Sequence, residues 1–448
     1  MVKSDIDIEQ KICNALKDGD VLIYGAHLVA IELYRYLKSI SERLGLYFSF
    51  AGFVVTAAEG NPKDLGGQAV IELQNSQASR AATVMIAMPE KYHQETEHYA
   101  RELGFSSFVR IGLEVMSRLK GTQILRDRQK YEELGLHLSE DTYDTSWLNC
   151  YLYQEAFGQR YNSADRHFKF PTLYYLNAEE VYWEAKRFDF CRDYDRLFGQ
   201  YRNLHALPTL ESTEKDDYQL HIYMVFSQWD STAVVQEEYP DWILPIQAGS
   251  IFTDKKPQSF LDEIGDSISD KNRVLAEMTA AYWVWRNAEP VKYKGLCHYR
   301  RHFLLTNIEV RNLERNGIDV ILPTPRYVPG GIRRMFLAET PVKEPVYQTM
   351  CRAVDECHPE DTEAFAIYME ECLYCPNNMV IARSEIYDAY CEWIFSVLFR
   401  MMELERESGY GHEKDRHIAY AAELMTSYFF TRCKWKYRMA VTDYKFYG

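Results

Sequence analysis

The chain has 448 residues, an apolar fraction of 47%, a charged fraction of 26% and a net charge of −15. The length exceeds one ordinary core, so two or three domains are expected. The composition is that of a soluble globular protein, and the acidic balance argues against nucleic acid as the main partner and against a broad basic membrane-binding surface. An acidic ligand in a local basic pocket stays compatible with it. The 34 Tyr and 22 Phe suit flat, half-polar ligands such as sugars and bases as well as large cores. No apolar run approaches the ~20 residues that span a bilayer, and the polar start MVKSDIDIEQ is no export signal. The ten cysteines are then expected to be reduced, in the cytoplasm, with loose attachment to the inner membrane face through a lipid-linked substrate left open.

Residues 20 to 112 alternate strand and helix signals. DVLIYG (Asp20 to Gly25), FSFAGFVV (Phe48 to Val55), ATVMIAM (Ala82 to Met88) and SSFVRIG (Ser106 to Gly112) are apolar strands. Val29 to Ile40 and Glu95 to Leu103 have helical spacing. This order predicts a Rossmann-like parallel sheet over residues 1–115. A dinucleotide site needs G-x-G-x-x-G after the first strand, but these positions hold Gly25, His27 and Ala30. His27 would place a side chain where backbone must approach a pyrophosphate, so nicotinamide dinucleotide binding is not expected. The strand, the lone-glycine turn and the later Gly66, Gly67 and Val70 resemble the nucleotide-sugar-binding module of bacterial sugar acyltransferases. The plain alternative is a degenerate unit used for docking or regulation. Residues 116–215 read as a mostly helical connecting region that ends in the polar stretch LPTLESTEKDD.

A second α/β domain is predicted over residues 216–448. Its strand-like pieces are LHIYMVF from Leu220, the run at Leu296, DVILP from Asp319, NNMVIAR and YRMAVTD. Helices are predicted at Arg273 to Asn287, Glu385 to Glu405 and Asp415 to Phe429. Within it, YKGLCHYRRHF (Tyr293 to Phe303) ends a short apolar run in His298, Tyr299, Arg300 and Arg301. Guanidinium groups keep their charge and must be paired or solvated, and two together suit a phosphate or diphosphate. A structural network with nearby carboxylates is the plain alternative.

The motifs ILPIQAG (Ile243 to Gly249), GDSISDKN (Gly265 to Asn272), E-x-T-x-x-YWVWRN (Glu277 to Asn287) and KGLCHYRRHF occur in order. NNMVIAR, YCEWIF (Tyr390 to Phe395) and a last helix with Arg416 and Glu423 follow. Together they resemble the bacterial capsular and exopolysaccharide biosynthesis glycosyltransferases, first catalogued as a domain of unknown function, over residues 220–445. The resemblance implies a GT-A-like fold. It also implies transfer of a hexose, galactofuranose or galactose among them, from a nucleotide-diphosphate sugar such as a UDP-sugar to a glycan or lipid-linked acceptor. One departure lies at the first strand end, where a His-Lys-type pair is replaced by Phe226, Ser227, Gln228, Trp229 and Asp230. There Trp229 can stack on a base and Asp230 can accept from it.

Transfer from a nucleotide diphosphate needs positive charge where the leaving group gains negative charge. No Asp-x-Asp metal motif stands at the relevant strand end, so Arg300 and Arg301, with His298, are expected to hold the diphosphate. A divalent metal is possible but not required by the motifs. Lys271 and Arg416 are further phosphate candidates. Asn272, Glu277, Tyr299 and Asn378 are candidates for sugar or nucleotide contacts. Asp266, Glu423, Asp415 and His298 each qualify as the base that takes the acceptor proton. Simple capping is the alternative for GDSISDKN, a closed turn that for Asn377 and Asn378, and a solvated face that for Arg416, Tyr420, Glu423 and Ser427. Cys351, Cys357, His358, Cys372 and Cys375 are too loosely spaced for an expected zinc site. The competing function is a non-catalytic nucleotide-sugar- or carbohydrate-binding scaffold that docks other polysaccharide-synthesis enzymes.

Overall fold

The computed structural model describes residues 3–59, 61–126, 129, 190–210, 218–227, 239–328, 330–340, 342, 344–408 and 416–446. They fall into two compact α/β units, one up to residue 126 and one from 190 onward.

In the first unit, α1 (Lys3–Asp18) precedes β1 (Val21–Tyr24), α2 (Leu28–Leu44), β2 (Phe50–Val55), the β3 (Asp64–Leu65) and β4 (Gln68–Glu72) hairpin, β5 (Thr83–Ala87), α3 (His93–Glu102), β6 (Ser107–Ile111) and α4 (Leu113–Arg126). The sheet order is β3-β4-β2-β1-β5-β6, parallel except for that hairpin. Every residue of β1 and β5 is buried, as expected of strands covered on both faces. The sheet turns at the β1–β5 pair, where β1 ends in Gly25 with φ 139°. A Cβ there would collide with the Ala87 carbonyl oxygen, so glycine is required for close strand packing. The unit extends past residue 115. Helix α4 is tied back by a buried Lys120–Glu32 ion pair, by Gln123 Nε2 to Ser39 Oγ at 2.9 Å and by Arg126 on Glu9.

The second unit begins before residue 216, because α5 (Phe190–Phe198) and β7 (Arg202–Asn203) are part of it. Its main sheet holds β7, β8 (Leu220–Phe226), β9 (Ile243–Gln247), β10 (Phe260–Leu261), β11 (Tyr293–His298), β13 (Val320–Pro323), β16 (Val380–Arg383) and β17 (Met439–Thr442). The order is β10-β9-β8-β11-β16-β13-β17-β7. Strand β16 alone in this row runs against its neighbours. A short hairpin strand, β12 (Arg301–Phe303), pairs with both β11 and β18 (Tyr444–Phe446). Helices α6 (Met278–Asn287), α7 (Ser384–Ser408) and α8 (His417–Arg432) supply further apolar packing, with Ile386, Tyr390, Trp393, Val397 and Met401 of α7 all buried as their spacing predicts. The single helix expected over Arg273 to Asn287 is instead two pieces, Asn272–Leu275 and α6. The break falls at Ala276, whose φ is 45°, and it leaves Glu277 at the start of α6.

Candidate functional site

The strands that share one direction end at one edge of the second sheet, and the reversed strand β16 starts there. That edge is where open α/β sheets commonly place ligands. His298 ends β11, the Asn377–Asn378 turn leads into β16, Arg326 follows β13 in the short strand β14 (Arg326–Tyr327), and Tyr444 follows β17.

Asn377 and Asn378 both adopt left-handed backbone conformations, with φ 76° and 50°. Asparagine tolerates this region better than other non-glycine residues, and consecutive instances mark a turn held by its surroundings. Asn378 is buried and fully engaged. Its Nδ2 donates to Glu277 Oε1 at 2.9 Å and to the Ala419 carbonyl at 3.3 Å, while its Oδ1 accepts from Thr426 Oγ1 at 3.0 Å. Asn377 lends its backbone. Its carbonyl lies 2.6 Å from His298 Nε2, and since a carbonyl only accepts, Nε2 carries the proton. Its N–H favours the ionised form of the Glu423 carboxyl. The buried Asn377 Nδ2 has no protein acceptor, an arrangement that an acceptor atom of a ligand would satisfy.

Glu423 lies on α8 and keeps part of its surface open. Burial pushes its carboxyl above the ordinary value; the Asn377 N–H, Arg326 and Arg301 pull it back, and Glu277 pushes it up further. Arg326 contacts the Tyr444 hydroxyl and lies over its ring, with the guanidinium 5.9 Å from the centroid. Burial opposes its charge, but Tyr444, Tyr374 and Glu423 outweigh that and hold it cationic. Arg301 and Arg326 thus both act on Glu423. Arg416, exposed at the head of α8, lies 3.7 Å from Glu277 Oε2.

The cluster therefore gathers His298, Arg301, Glu277, Asn378, Glu423 and Arg416 among the sequence candidates. The two adjacent arginines do not act as one fork. Arg300 occupies the β11–β12 turn, exposed, with its guanidinium 5.1 Å from the Tyr299 ring centroid, and Tyr299 packs on Phe226 with ring centroids 5.6 Å apart. Arg326, rather than Arg300, joins Arg301 among the charges that favour ionised Glu423. Nothing in its local sequence, PTPRY, signals this.

Several candidates find other work. Asp266 receives Arg286 Nε at 2.7 Å and the Tyr282 hydroxyl at 3.1 Å, and Asn287 brackets its backbone. Those partners lie from the middle of α6 to its end, about 8–15 Å along the helix from Glu277. Asn272 donates to the Ala276 carbonyl at 2.7 Å and to Thr279 Oγ1 at 3.0 Å, and Lys271 pairs with Asp270 at 3.1 Å. GDSISDKN is organised around a residue just before it, the fully buried Asp262. That carboxylate faces the N–H groups of Gly249 and Ser250 and the hydroxyls of Ser250, Ser269 and Thr279 at 2.6–3.0 Å. A loop fixed in this way explains the motif through folding. Trp229, Asp230 and Asp415 lie outside the described residues.

Among the described residues, the one group of three or more acidic, His or Cys side chains close enough to share a metal is His358, Glu360 and Asp361. Asp361 is already engaged by Arg432, by Trp393 Nε1 at 2.9 Å and by the Tyr428 hydroxyl at 3.1 Å. The cysteines near them are not brought together as a ligand set. No described helix is long and apolar enough to cross a membrane.

Residues 222–434, under half of the chain, match the model of a family described as a domain of unknown function (DUF4422). The match takes in every gathered candidate except Tyr444 and excludes the first unit. No curated protein matches the chain. Among solved structures, the chain is similar to one titled as the apo structure of WbbM, a bifunctional glycosyltransferase, at 23% identity and a TM-score of 0.45. That alignment covers 51% of this chain and 45% of the other, so the chain spans less than half of that relative's length.

Proposed function

We propose that the second unit is a GT-A-like glycosyltransferase that moves a hexosyl group from a nucleotide-diphosphate sugar, a UDP-sugar by preference, to a glycan or lipid-linked acceptor. The observation that carries this reading is the set of groups at the strand-end edge: His298 on the Asn377 carbonyl at 2.6 Å, Asn378 on Glu277 at 2.9 Å, Arg416 at 3.7 Å from Glu277, and Arg326 over the Tyr444 ring, with the charges of Arg326 and Arg301 favouring ionised Glu423. Two guanidiniums that keep their charge suit the diphosphate, and a carboxyl made more basic by burial suits the acceptor proton. In this scheme the acceptor hydroxyl gives its proton to Glu423 as its oxygen bonds to the anomeric carbon. The carbon–oxygen bond to the diphosphate breaks, and its electron pair stays on the diphosphate oxygen between Arg301 and Arg326. Asn377 Nδ2 and Arg416 supply further contacts to the donor. Capsular or exopolysaccharide synthesis at the inner face of the membrane is the setting that fits such a donor and acceptor.

The test is release of the nucleotide (UDP or GDP from the diphosphate sugars, CMP from CMP-sugars as the monophosphate control), with and without a polysaccharide acceptor. Acceptor-dependent release that is lost in Arg326→Ala supports the assignment. Binding of a donor without release in the presence of any acceptor would favour the scaffold function instead.

A further inference from the structure

In a chain of net charge −15, one surface has the opposite sign. The segment after α8 reads Arg432-Cys433-Lys434-Trp435-Lys436-Tyr437-Arg438. Trp435 is 76% exposed, the most exposed tryptophan among the described residues. It sits in a tight turn closed by the N–H groups of Lys436 and Tyr437 on the Cys433 carbonyl. Lys436 and Arg438 are exposed. So are Arg202 and Arg315, brought alongside by the 314–317 turn: Arg202 Nη1 donates to the Asn316 carbonyl at 2.9 Å, and the Arg438 guanidinium packs against Gly317. Most nearby acids are answered by other cations: Glu314 by Lys292, Asp319 by Arg383, Glu371 by Arg196, and Asp361 by Arg432. The exposed Lys436, Arg438, Arg202 and Arg315 thus lie by the same strand starts that Trp435 precedes, and Lys434 Nζ stands 5.7 Å from the Trp435 ring centroid.

We propose that this face is a docking surface for an anionic lipid bilayer, with Trp435 inserted at headgroup level and the four cations over acidic headgroups. Tryptophan prefers the interface between water and hydrocarbon, and basic side chains near an anionic leaflet add affinity with each charge. Charge complementarity also selects the orientation. The chain as a whole carries a net charge of −15, and at physiological salt only charges within about 8 Å of the lipid count. A protein partner would not need a lone indole ringed by cations that are still hydrated.

The patch lies at the N-terminal ends of β7, β13 and β17, whereas the candidate site lies at their C-terminal ends. Docking here turns the site away from the lipid, toward the aqueous side. The inference does not depend on the transfer reaction and fails separately from it.

Co-sedimentation of the full chain with vesicles tests it, comparing phosphatidylcholine alone with phosphatidylcholine containing about 30% phosphatidylglycerol. The expected result is binding to the anionic vesicles only, weakened about tenfold or more in Trp435→Ala combined with Lys436→Glu. Lys255→Glu, at an exposed lysine elsewhere, should bind as the parent does. Thermal unfolding at the parental temperature shows that the double variant is folded. Equal binding to neutral vesicles, absence of binding to either, or undiminished binding by the folded double variant each overturns the proposal.

Discussion

At the scale of single residues, the division of labour between Arg300 and Arg301 is the sharpest consequence of the geometry. Arg301 favours the ionised form of Glu423, whereas the exposed Arg300 rests on the half-buried Tyr299 ring. Alanine at Arg301 or Arg326 is expected to lower kcat/KM for transfer about 10²–10³-fold, the usual loss when one preorganised donor to a developing charge is removed. Alanine at Arg300 should cost tenfold or less, and steady-state kinetics of the three variants would show the split. The rate should also climb with pH through a carboxyl pKa displaced above the ordinary 4.5, because Glu423 accepts a proton only when ionised and burial favours its neutral form. Glu423→Gln should remove that limb and about 10²–10⁴ of the rate. Arg301, Glu277, Asn378 and Glu423 were legible as candidates because each stands in a motif, and the fold brings them to one edge. Arg326 stayed hidden because its role arises only when the edge between β13 and β17 folds against α8.

At the scale of elements, the loop from Gly249 to Thr279 is fixed by one buried carboxylate. Asp262→Ala would strand five donors, two of them backbone N–H groups. A loss of about 3 kcal/mol or more is expected, seen as a lower unfolding temperature with donor-site chemistry still intact at low temperature. GDSISDKN was legible as a helix entry with capping residues, but its anchor was not, since a single Asp four residues ahead of the motif's own Asp266 carries no periodic signal. The first unit has its own electrostatic clasp, in which Arg126 and Arg43 meet Glu9. Burial raises the Glu9 carboxyl, but the two arginines outweigh it and hold it below its ordinary value. A depressed carboxyl stabilises above its unfolded pKa and loses that contribution as pH falls through its folded value. Glu9→Gln should therefore speed amide exchange in α1 at neutral pH, with the difference fading once Glu9 in the parent is protonated.

At the scale of the whole molecule, two sheets with separate cores divide the chain. The alternation of strand and helix signals made both legible, and the lone glycine after β1 correctly placed the tight strand-end turn. The extents of the units were harder to read, because α4 and α5 carry amphipathic patterns that do not reveal which sheet they join. All candidate groups lie in the second unit. A UDP-sugar should therefore slow amide exchange around His298, Arg326, Asn377 and Glu423 and leave β1 to β6 unchanged, as measured by mass spectrometry. Protection spread over the first sheet would instead show that this unit takes part in donor binding.

The peptide of Asn377 has a mechanical consequence. Its carbonyl holds His298 and its N–H favours ionised Glu423, so a single backbone segment is the common rail for two candidate proton-handling groups. Neither can drift without moving its counterpart. Substitution at this position is then expected to be tolerated only for residues that accept a positive φ, glycine foremost, because a change that straightens the turn shifts both groups at once.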